Sequence, residues 1–551
     1  MKPKRIQFLQ FLFALGLAFQ AQGVGAQQAR PNVLLIVVDD MGYSDIGAFG
    51  GEIKTPHIDA LADAGIRMTN FYVGPTCSPT RSMLMSGNDN HVAGLGNMNE
   101  ALTPNQVGQP GYEGYLNDRV VSVAELLKDA GYHTYMAGKW HLGEEPEHDP
   151  SAKGFEKSFT MLQGGASHFD DEWMMYANYT PTYRENGTRT HVPRGFYSTE
   201  FYTDKTIQYI DEQEDDAPFF AYLSFTAVHD PLHLPDDWLD RYSGKYAMGY
   251  DTLRDQRLSR MKKLGIVPDS TNLGPWLAMV PQWVDLSAEQ QESEARKMEL
   301  YAAMVANIDF HVGRLVDHLE QTGELDNTLI IFFSDNGANG AEMDMYPETD
   351  EAWVARNSDN RFSNWGRRGS RIAQGPGWAQ ASSTPFRLFK AFIAEGGIRS
   401  PLVISGPPVA RSGGILDAVA HVMDIAPTLL EIAGVSYPAS NEKGKLVPQR
   451  GKSMMPFLTA QAESIREQDE YLAWEFFDWN AVRTAAWKAT WIREPFGSGD
   501  WQLFDMTVDP GESNDVAAQH PEVIQDLADK WDVYADEVGV VPREVSDWPD
   551  Q

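Results

Sequence analysis

The segment Cys77-Ser-Pro-Thr-Arg81 contains the one cysteine of the 551-residue chain. Pro79 suits the first turn of a helix, which Ser82 to Met85 can continue. Cys77 would then lie at the positive end of a helix dipole, with Arg81 one turn further along the same face. The helix dipole and Arg81 would help to stabilise an anion that develops at that position. The alternative is a helix start with an incidental thiol, and these five residues alone do not decide between the two.

Two polar pairs each follow an apolar run. Asp39 and Asp40 close the first run, and Asp335 and Asn336 close another one much later in the chain. Such oxygen ligands suit a hard cation, with calcium favoured and magnesium second, whereas zinc would prefer histidine or cysteine. The alternative is that these residues only cap turns, as such pairs commonly do. Two such pairs, each ending a buried strand, favour a metal site.

Lys139 and His141 flank Trp140 at the end of a third apolar run. Alternate side chains of a strand point to the same face, so both polar residues can face one cleft. Taken singly, each would ordinarily be only a solvated side chain. His229 follows a fourth run, and His233 is interpreted as pocket wall or structure.

The apolar runs themselves are typical of parallel strands that are buried on both faces. They are Asn32–Val38, His133–Ala137, Phe219–Phe225 and Leu329–Phe333. Helical spacing between them, as in 121–130 and 297–319, predicts an α/β fold with a large, mixed, mostly parallel sheet sandwiched by helices. Ligands gather at the carboxyl ends of such strands, so these polar residues are expected to share one site.

The first 26 residues have the pattern of a cleaved secretory signal, and a retained anchor is the alternative. This signal predicts an exported protein, periplasmic or secreted. No later apolar stretch is convincing as a transmembrane segment, so no stable membrane insertion is expected. Residues 27–433 are predicted to form the catalytic domain, and residues 434–551 a smaller α+β domain with an antiparallel sheet. Within the first, residues 340–383 lack a clear period and are either a lid over the cleft or a disordered insertion.

The net charge of −33 would become −36 once the three positive charges of the signal are removed. Such an acidic surface argues against nucleic-acid binding, which needs clustered lysine and arginine. An acidic protein that handles an anion must concentrate its cations locally. Solubility alone also explains the charge.

Cys77 to Arg81, followed by Ser86-Gly87, resembles the Cys-x-Pro-x-Arg signature of the type I sulfatases, in the alkaline phosphatase-like superfamily. Other segments resemble further blocks of this family in the expected order: Asp39–Tyr43, Gly138–Gly143, His229–Pro231, Ser334–Gly337 and Leu503–Asn514. The stretch Gly377–Arg399 is similar to the bacterial arylsulfatase branch in particular.

The resemblance implies that a formylglycine-generating enzyme oxidises Cys77 to formylglycine (3-oxoalanine), whose hydrate supplies the nucleophilic oxygen. It implies a calcium site made of Asp39, Asp40, Asp335 and Asn336, with magnesium less favoured. The expected reaction is hydrolysis of a sulfate ester, most simply an aryl sulfate.

The resemblance also gives a role to each remaining candidate. Arg81 would hold the nucleophile, Lys139 and Lys390 would bind the sulfate, and His141 would abstract a proton from the hydrate. His229 would protonate the leaving oxygen. Residues 164–168, the 340–383 segment and the C-terminal domain are expected to form the leaving-group pocket.

Three alternatives stay open on the sequence. The first is a sulfatase of alkyl or carbohydrate sulfates. The second is a phosphonate or phosphate ester hydrolase on the same scaffold. The third is an inactive relative that only binds sulfated glycans, although all ten expected site positions are filled.

Overall fold

The computed structural model describes residues 30 to 544 except Met174, Asn178 and Ser412. The predicted signal peptide, residues 1 to 26, lies outside the described residues. From Pro31 onward the chain forms one compact unit. Within the described part of the chain, none of the helices combines the length and the hydropathy that crossing a membrane requires.

A large sheet forms the centre of this unit and contains eleven strands among the described residues. They are β1 (Asn32–Val38), β2 (Ile66–Tyr72), β3 (His133–Lys139), β4 (Lys157–Met161), β5 (Tyr183–Glu185), β6 (Thr188–Thr190), β7 (Phe219–Ser224), β8 (Thr328–Ser334), β9 (Arg399–Ser405), β10 (Gly414–Leu416) and β11 (Ala420–His421). Their order is β10-β2-β9-β8-β1-β7-β3-β4-β5-β6, with β11 also on β2.

The middle of the sheet is parallel: β8, β1, β7, β3 and β4 all run in the same direction. β9 is antiparallel to both of its neighbours, and β5 and β6 form an antiparallel edge. The carboxyl ends of β8, β1, β7 and β3 therefore meet at one edge of the sheet.

Strand β1 shows why its sequence is apolar throughout. Val33, Leu35 and Val37 pack into the core on one face, and Leu34, Ile36 and Val38 pack into the core on the other. Each of these side chains is almost completely buried, which is worth about 1.5–3 kcal/mol per large aliphatic residue. The uninterrupted apolar run is what a strand between two helical layers requires.

Twelve α-helices accompany the strands in the described residues. They are α1 (Pro56–Ala64), α2 (Cys77–Ser86), α3 (Val123–Asp129), α4 (Ser198–Asp211), α5 (Gly249–Leu264), α6 (Ala288–Thr322), α7 (Glu351–Asn357), α8 (Pro376–Ser382), α9 (Glu395–Ile398), α10 (Ile425–Ala433), α11 (Met455–Leu458) and α12 (Pro521–Val538). Helices α2, α3 and α10 pack on one face of the sheet, and α1, α4, α5 and α6 on the other.

Two small antiparallel sheets follow α10. The first joins β12 (Ser440–Asn441) and β13 (Gly444–Lys445). The second contains β14 (Leu472–Phe476), β15 (Trp479–Arg483), β16 (Trp487–Trp491) and β17 (Trp501–Asp505) in that order. Trp474 of the second sheet donates a hydrogen bond from Nε1 to the carbonyl of Val73, just after β2.

The predicted fold class is confirmed: a large, mostly parallel sheet lies between helices, and a four-stranded antiparallel sheet follows. The predicted helix at 297–319 is the centre of the longer α6, which begins with a capping box between Ser287 and Gln290. The boundary at 434 stays a prediction.

Candidate active site

The predicted site residues lie at the carboxyl edge of the parallel strands. Asp39 and Asp40 directly follow β1, Lys139 ends β3, and Asp335 directly follows β8. The topology thus brings together residues that are far apart in sequence.

The backbone at this edge is strained. Asp40 has φ 64° and His141 has φ 57°, values that L-residues adopt only at an energetic cost. Gly138 has φ 121°, and a Cβ atom there would lie 1.7 Å from the carbonyl oxygen of Ser224. Glycine is therefore required where β3 and β7 approach each other.

Cys77 is the first residue of α2 and is buried. Its Sγ lies 3.3 Å from Asp39 Oδ1 and 3.9 Å from Asp40 Oδ1. Burial, followed by the Asp39 charge, raises the pKa of the Cys77 thiol well above its usual value. The unmodified thiol is therefore a poor thiolate nucleophile in this surrounding.

Arg81 connects α2 to three strands of the sheet. Its Nε and Nη2 donate to Asp335 Oδ2 at 2.9 and 2.7 Å. Its Nη1 donates to the carbonyl of Lys139 at 3.0 Å and to Ser224 Oγ at 2.5 Å. These bonds hold the helix that carries Cys77 against the carboxyl ends of β8, β3 and β7.

Two lysines neutralise the acidic pair after β1. Lys139 Nζ lies 2.7 Å from Asp39 Oδ2, and Lys390 Nζ lies 2.8 Å from Asp40 Oδ1. Burial raises the pKa of Asp39 to about 7 against the opposing charge of Lys139. Burial acts in the same direction on Asp40, but the charges of His229, Lys390 and Lys139 outweigh it and lower its pKa to about 2.

The carboxylate and amide oxygens of the site fit a hard cation. Ligand atoms of Asp39 and Asp40 lie within 4.8 Å of one another and of those of Cys77 and His229, and Asp335 is not a member of this group. Asn336 donates from Nδ2 to Asp40 Oδ1 at 2.7 Å, and its buried Oδ1 has no hydrogen-bond partner within the described residues. An unsatisfied buried carbonyl beside carboxylates is well suited to ligate a calcium ion.

The net charge of the site is also compatible with such an ion. Three carboxylates (Asp39, Asp40, Asp335) face three cationic side chains (Arg81, Lys139, Lys390) in the contacts above. The cluster is therefore close to neutral by itself, and a divalent cation would make it attractive to an anion.

The two predicted histidines have different surroundings. His229 Nδ1 lies 2.9 Å from the carbonyl of Asp230 and donates to it, so Nε2 faces Asp40 Oδ2 at 3.4 Å. Burial lowers the pKa of His229 well below its usual value, against the Asp40 charge. His141 Nε2 lies 3.1 and 3.3 Å from the two carboxylate oxygens of Glu100.

A cavity of about 500 Å³ opens onto these groups. Cys77, His141, His229 and Lys390 line its inner end. Most of its remaining wall is apolar and includes Met98, Leu277, Met345, Phe389, Phe392, Trp479 and Phe496. A larger cavity of about 1130 Å³ elsewhere contains none of the predicted site residues.

Three predicted segments contribute to the cavity wall: Gly164, residues 340, 341, 345–347 and 376 of the 340–383 segment, and the C-terminal residues 477–479, 493, 496 and 543. Phe477 and Asp478 form a two-residue turn between β14 and β15, with φ 55° and 63°. His168 and His233 do not line the cavity but bond the carbonyls of His229 and Ser370.

The arginines of the 340–383 segment have partners elsewhere. Arg367 and Arg368 form ion pairs with Asp236 and Asp170, and Arg371 lies between the rings of Trp173 and Trp353. The start of the segment lines the cavity, as a lid would, but the lid itself stays a prediction.

All ten predicted residues are thus brought to one place: nine are linked by the contacts above, and His141 lines the same cavity. Sequence reasoning missed Ser224, which bonds Arg81 and the carbonyl of Lys139, and also Glu100 and Tyr176. Ser224 is a hydroxyl residue inside the apolar run Phe219–Phe225, which is a usable signal, whereas Glu100 lies in a segment with no periodicity.

A family model described as sulfatase matches residues 31–435 of the chain. The chain belongs to the sulfatase family. This sulfatase also matches, over residues 386–535, a model described as the C-terminal region of N-sulphoglucosamine sulphohydrolase.

The sulfatase is 44% identical to an arylsulfatase of Klebsiella aerogenes over 446 residues, which cover 80% of this chain and 95% of that protein. It is 42% identical to an uncharacterized sulfatase of Schizosaccharomyces pombe, covering 95% and 96% of the two chains. The crystal structure of Ps i-CgsB in complex with k-i-k-neocarrahexaose shares the fold, with a TM-score of 0.65, 23% identity and coverage of 92% and 93%. The protein is a sulfuric ester hydrolase.

Proposed function

We propose that this sulfatase is an exported, calcium-dependent arylsulfatase whose nucleophile is a formylglycine made from Cys77. The observation that carries the proposal is the position of Cys77, buried at the start of α2 and surrounded by Asp39, Lys139 and Lys390. A sulfate group bound there would meet cations on several sides.

The surroundings of Cys77 support its modification. Its raised thiol pKa disfavours a thiolate, whereas a hydrated aldehyde offers a neutral hydroxyl that a base can activate. The second hydroxyl of this hydrate lets the enzyme release sulfate without an attack of water on sulfur. A formylglycine-generating enzyme would act on the chain before the buried site closes.

The proposed calcium ligands are Asp39, Asp40, Asp335 and Asn336. A bound calcium ion would polarise the sulfate and offset its negative charge. Magnesium is less favoured, because the ligands are direct protein oxygens, whereas magnesium usually keeps several waters.

The chain's own residues divide the remaining work. Lys139 and Lys390 neutralise sulfate oxygens, and Arg81 keeps residue 77 in line. His229 Nε2 delivers a proton to the departing oxygen, which requires the protonated imidazole. An anionic substrate beside His229 favours that form, because a negative charge raises the pKa of a nearby histidine.

The apolar wall of the cavity supports an aryl leaving group. Phe389, Phe392 and Trp479 offer ring faces and edges to an aromatic substrate. Polar side chains such as Tyr176, Asn339 and Arg493 also line the cavity, so the aryl assignment rests on the larger apolar part of the wall and not on a lack of partners for sugar hydroxyl groups. Replacing Phe389 by leucine keeps an apolar wall but removes the ring, so KM for nitrophenyl sulfate should rise by up to about tenfold.

The decisive experiment combines mass analysis with a substrate screen. The proposal expects the peptide of residue 77 to be lighter than its cysteine form by nearly the mass of one sulfur atom. It expects calcium-dependent turnover of nitrophenyl sulfate, with slower turnover of alkyl sulfates, sugar sulfates and nitrophenyl phosphonate. Full activity with unmodified Cys77 would overturn the proposal, and faster turnover of a sugar sulfate or phosphonate would replace the aryl assignment.

Export is proposed from the amino-terminal sequence alone. Fractionation of the producing cells, with amino-terminal sequencing of the mature protein, tests it. A mature chain that starts near residue 27 outside the cytoplasm is expected, whereas an intact amino terminus would contradict cleavage.

A further inference from the structure

Glu100 is partly buried beside the active-site cavity and binds two side chains from other segments. His141 Nε2 lies 3.1 Å from Glu100 Oε1 and 3.3 Å from Oε2. Tyr176 donates its hydroxyl to the same Oε1 at 2.8 Å. Glu100 lies in a short 3-10 helix, Asn99–Ala101, and lines the cavity together with His141 and Tyr176.

These contacts determine which nitrogen of His141 carries the proton. An ionised carboxylate only accepts hydrogen bonds, so Nε2 must be the protonated nitrogen. Nδ1 then bears the lone pair, and this atom is buried without a hydrogen-bond partner in the described residues. A buried basic nitrogen that makes no hydrogen bond within the protein is available to accept a proton from a bound group.

The charge states agree with this arrangement. Burial alone would raise the pKa of Glu100, but His141 and the hydrogen bonds outweigh it and lower the pKa to about 2. Burial, assisted by Lys139 and Arg81, lowers the pKa of His141 although Glu100 opposes it. At neutral pH the pair is therefore a carboxylate and a neutral imidazole.

We propose that Glu100 is a positioning residue, which fixes His141 with Nε2–H on its carboxylate and with Nδ1 free to accept a proton from residue 77. This inference rests on the proposed formylglycine mechanism. Tyr176 holds the carboxylate of Glu100 in turn. The three side chains therefore fix one another's orientation and do not pass a proton from one to the next.

The step in question is the release of sulfate. His141 Nδ1 takes the proton from the free hydroxyl of the sulfated hydrate at residue 77. The electron pair of that O–H bond forms the C=O bond, and the C–O bond to sulfate breaks with its electrons. Sulfate leaves as the dianion, and the proton remains on His141 until it passes to solvent. Without Glu100, the ring can turn or carry its proton on Nδ1, and this step slows.

The test compares Glu100→Gln and Glu100→Ala with the control Glu144→Gln. Glu144 lies three residues after His141, and its carboxylate accepts a hydrogen bond from Gln163 rather than from a histidine. We expect kcat on nitrophenyl sulfate to fall about tenfold in Glu100→Gln, which still accepts a hydrogen bond, and about 100-fold in Glu100→Ala. The control should retain the wild-type rate.

The rate alone does not distinguish positioning from general damage, so three further readouts decide. Slow sulfate release should give a burst of about one nitrophenol per active site, and mass analysis of the quenched enzyme should find sulfate on residue 77. The steady-state rate should also become independent of the leaving group.

A Glu100→Gln variant without burst or adduct, whose rate still depends on the leaving group, would overturn the inference. That outcome would assign Glu100 to contact with the leaving group instead. Mass analysis of residue 77 in each resting variant separates this failure from failure of the mechanism, since formylglycine must be present for either outcome to count. If Glu100→Ala does not fold, Glu100→Gln carries the test by itself.

Discussion

Arg81 and Asp335 form a buried ion pair in which Nη2 lies 2.7 Å from Oδ2, and both side chains are inaccessible to solvent. Asp335 also accepts a hydrogen bond at Oδ1 from the backbone N–H of Asp40. One carboxylate therefore holds the helix that carries Cys77 and stands among the proposed calcium ligands.

The variant Asp335→Asn should lose both calcium affinity and stability. It removes one of three negative ligand charges, and it leaves Arg81 as a buried charge without its partner. Breaking a buried pair costs about 3–5 kcal/mol, so the melting temperature should fall by several degrees. Calorimetry with and without calcium measures both effects.

A matched control separates the two losses. Asp424 is buried and paired with Arg466 at 2.6 Å, away from the site, so Asp424→Asn should lose stability but keep calcium binding. Equal calcium affinity in Asp335→Asn and wild type would contradict the proposed ligand set. Chelation of the metal from the wild type should abolish turnover reversibly.

Replacement of Cys77 tests the nucleophile. Cys77→Ala removes only a buried thiol, so it should fold normally and show negligible turnover. Cys77→Ser should accept sulfate on its hydroxyl but lack the second hydroxyl that expels it. A stable sulfated serine, detected by mass, is expected, and sustained wild-type turnover by either variant would end the formylglycine hypothesis.

His229 and His141 should fail in different ways. A proton donor matters most when the departing oxygen is basic, so His229→Ala should slow alkyl sulfates far more than nitrophenyl sulfate. His141→Ala should impair both classes and bring them towards one common rate, because it acts on their common sulfated intermediate; nitrophenyl sulfate should slow by about 10² or more. Equal slowing of both substrates in His229→Ala would indicate a sulfate-binding role instead.

Gly138→Ala should disturb the site through the backbone. The added Cβ would meet the Ser224 carbonyl, so β3 and β7 must separate and displace both partners of Arg81 Nη1. We expect a loss of roughly 1–3 kcal/mol beyond the conformational cost, together with reduced kcat. Gly444→Ala is the control for that conformational cost, since Gly444 has φ 138° with nothing within 4 Å of an added Cβ, and activity there should not change.

How far the sequence predicts this protein depends on how local each signal is. Strand β1 agrees with its prediction residue for residue, because burial on both faces leaves only apolar side chains between Asn32 and Val38. β15 was not anticipated, because its sequence is neither a continuous apolar run nor a strict alternation, and it follows a turn at Phe477 and Asp478. Tight hairpin turns with positive φ are normally recognised in a sequence by asparagine or glycine, and this turn contains neither.

The residues of the site also differ in how local their sequence signals are. Most of its ten predicted residues occur in short motifs after strands, whereas Cys77 and Arg81 lie on α2 and Lys390 lies in a loop. The family resemblance identifies them one by one. Glu100 contacts His141 and Tyr176 contacts Glu100, and only tertiary structure brings these side chains together. The ion pairs of Arg367 and Arg368 with Asp236 and Asp170 could not be predicted either, since these partners are distant in sequence and no local pattern identifies them.

The turn at Phe477 and Asp478 forms part of the cavity wall but comes from the small antiparallel sheet, not from the strands that carry the chemistry. Part of the wall that would contact the leaving group therefore lies outside the sheet whose strand ends carry the sulfate-handling residues. Substitutions at this turn can change which alcohol is released without altering the residues that bind sulfate. For a protein engineer, it is the natural position for a focused library, and for evolution it is a low-risk route to new substrates.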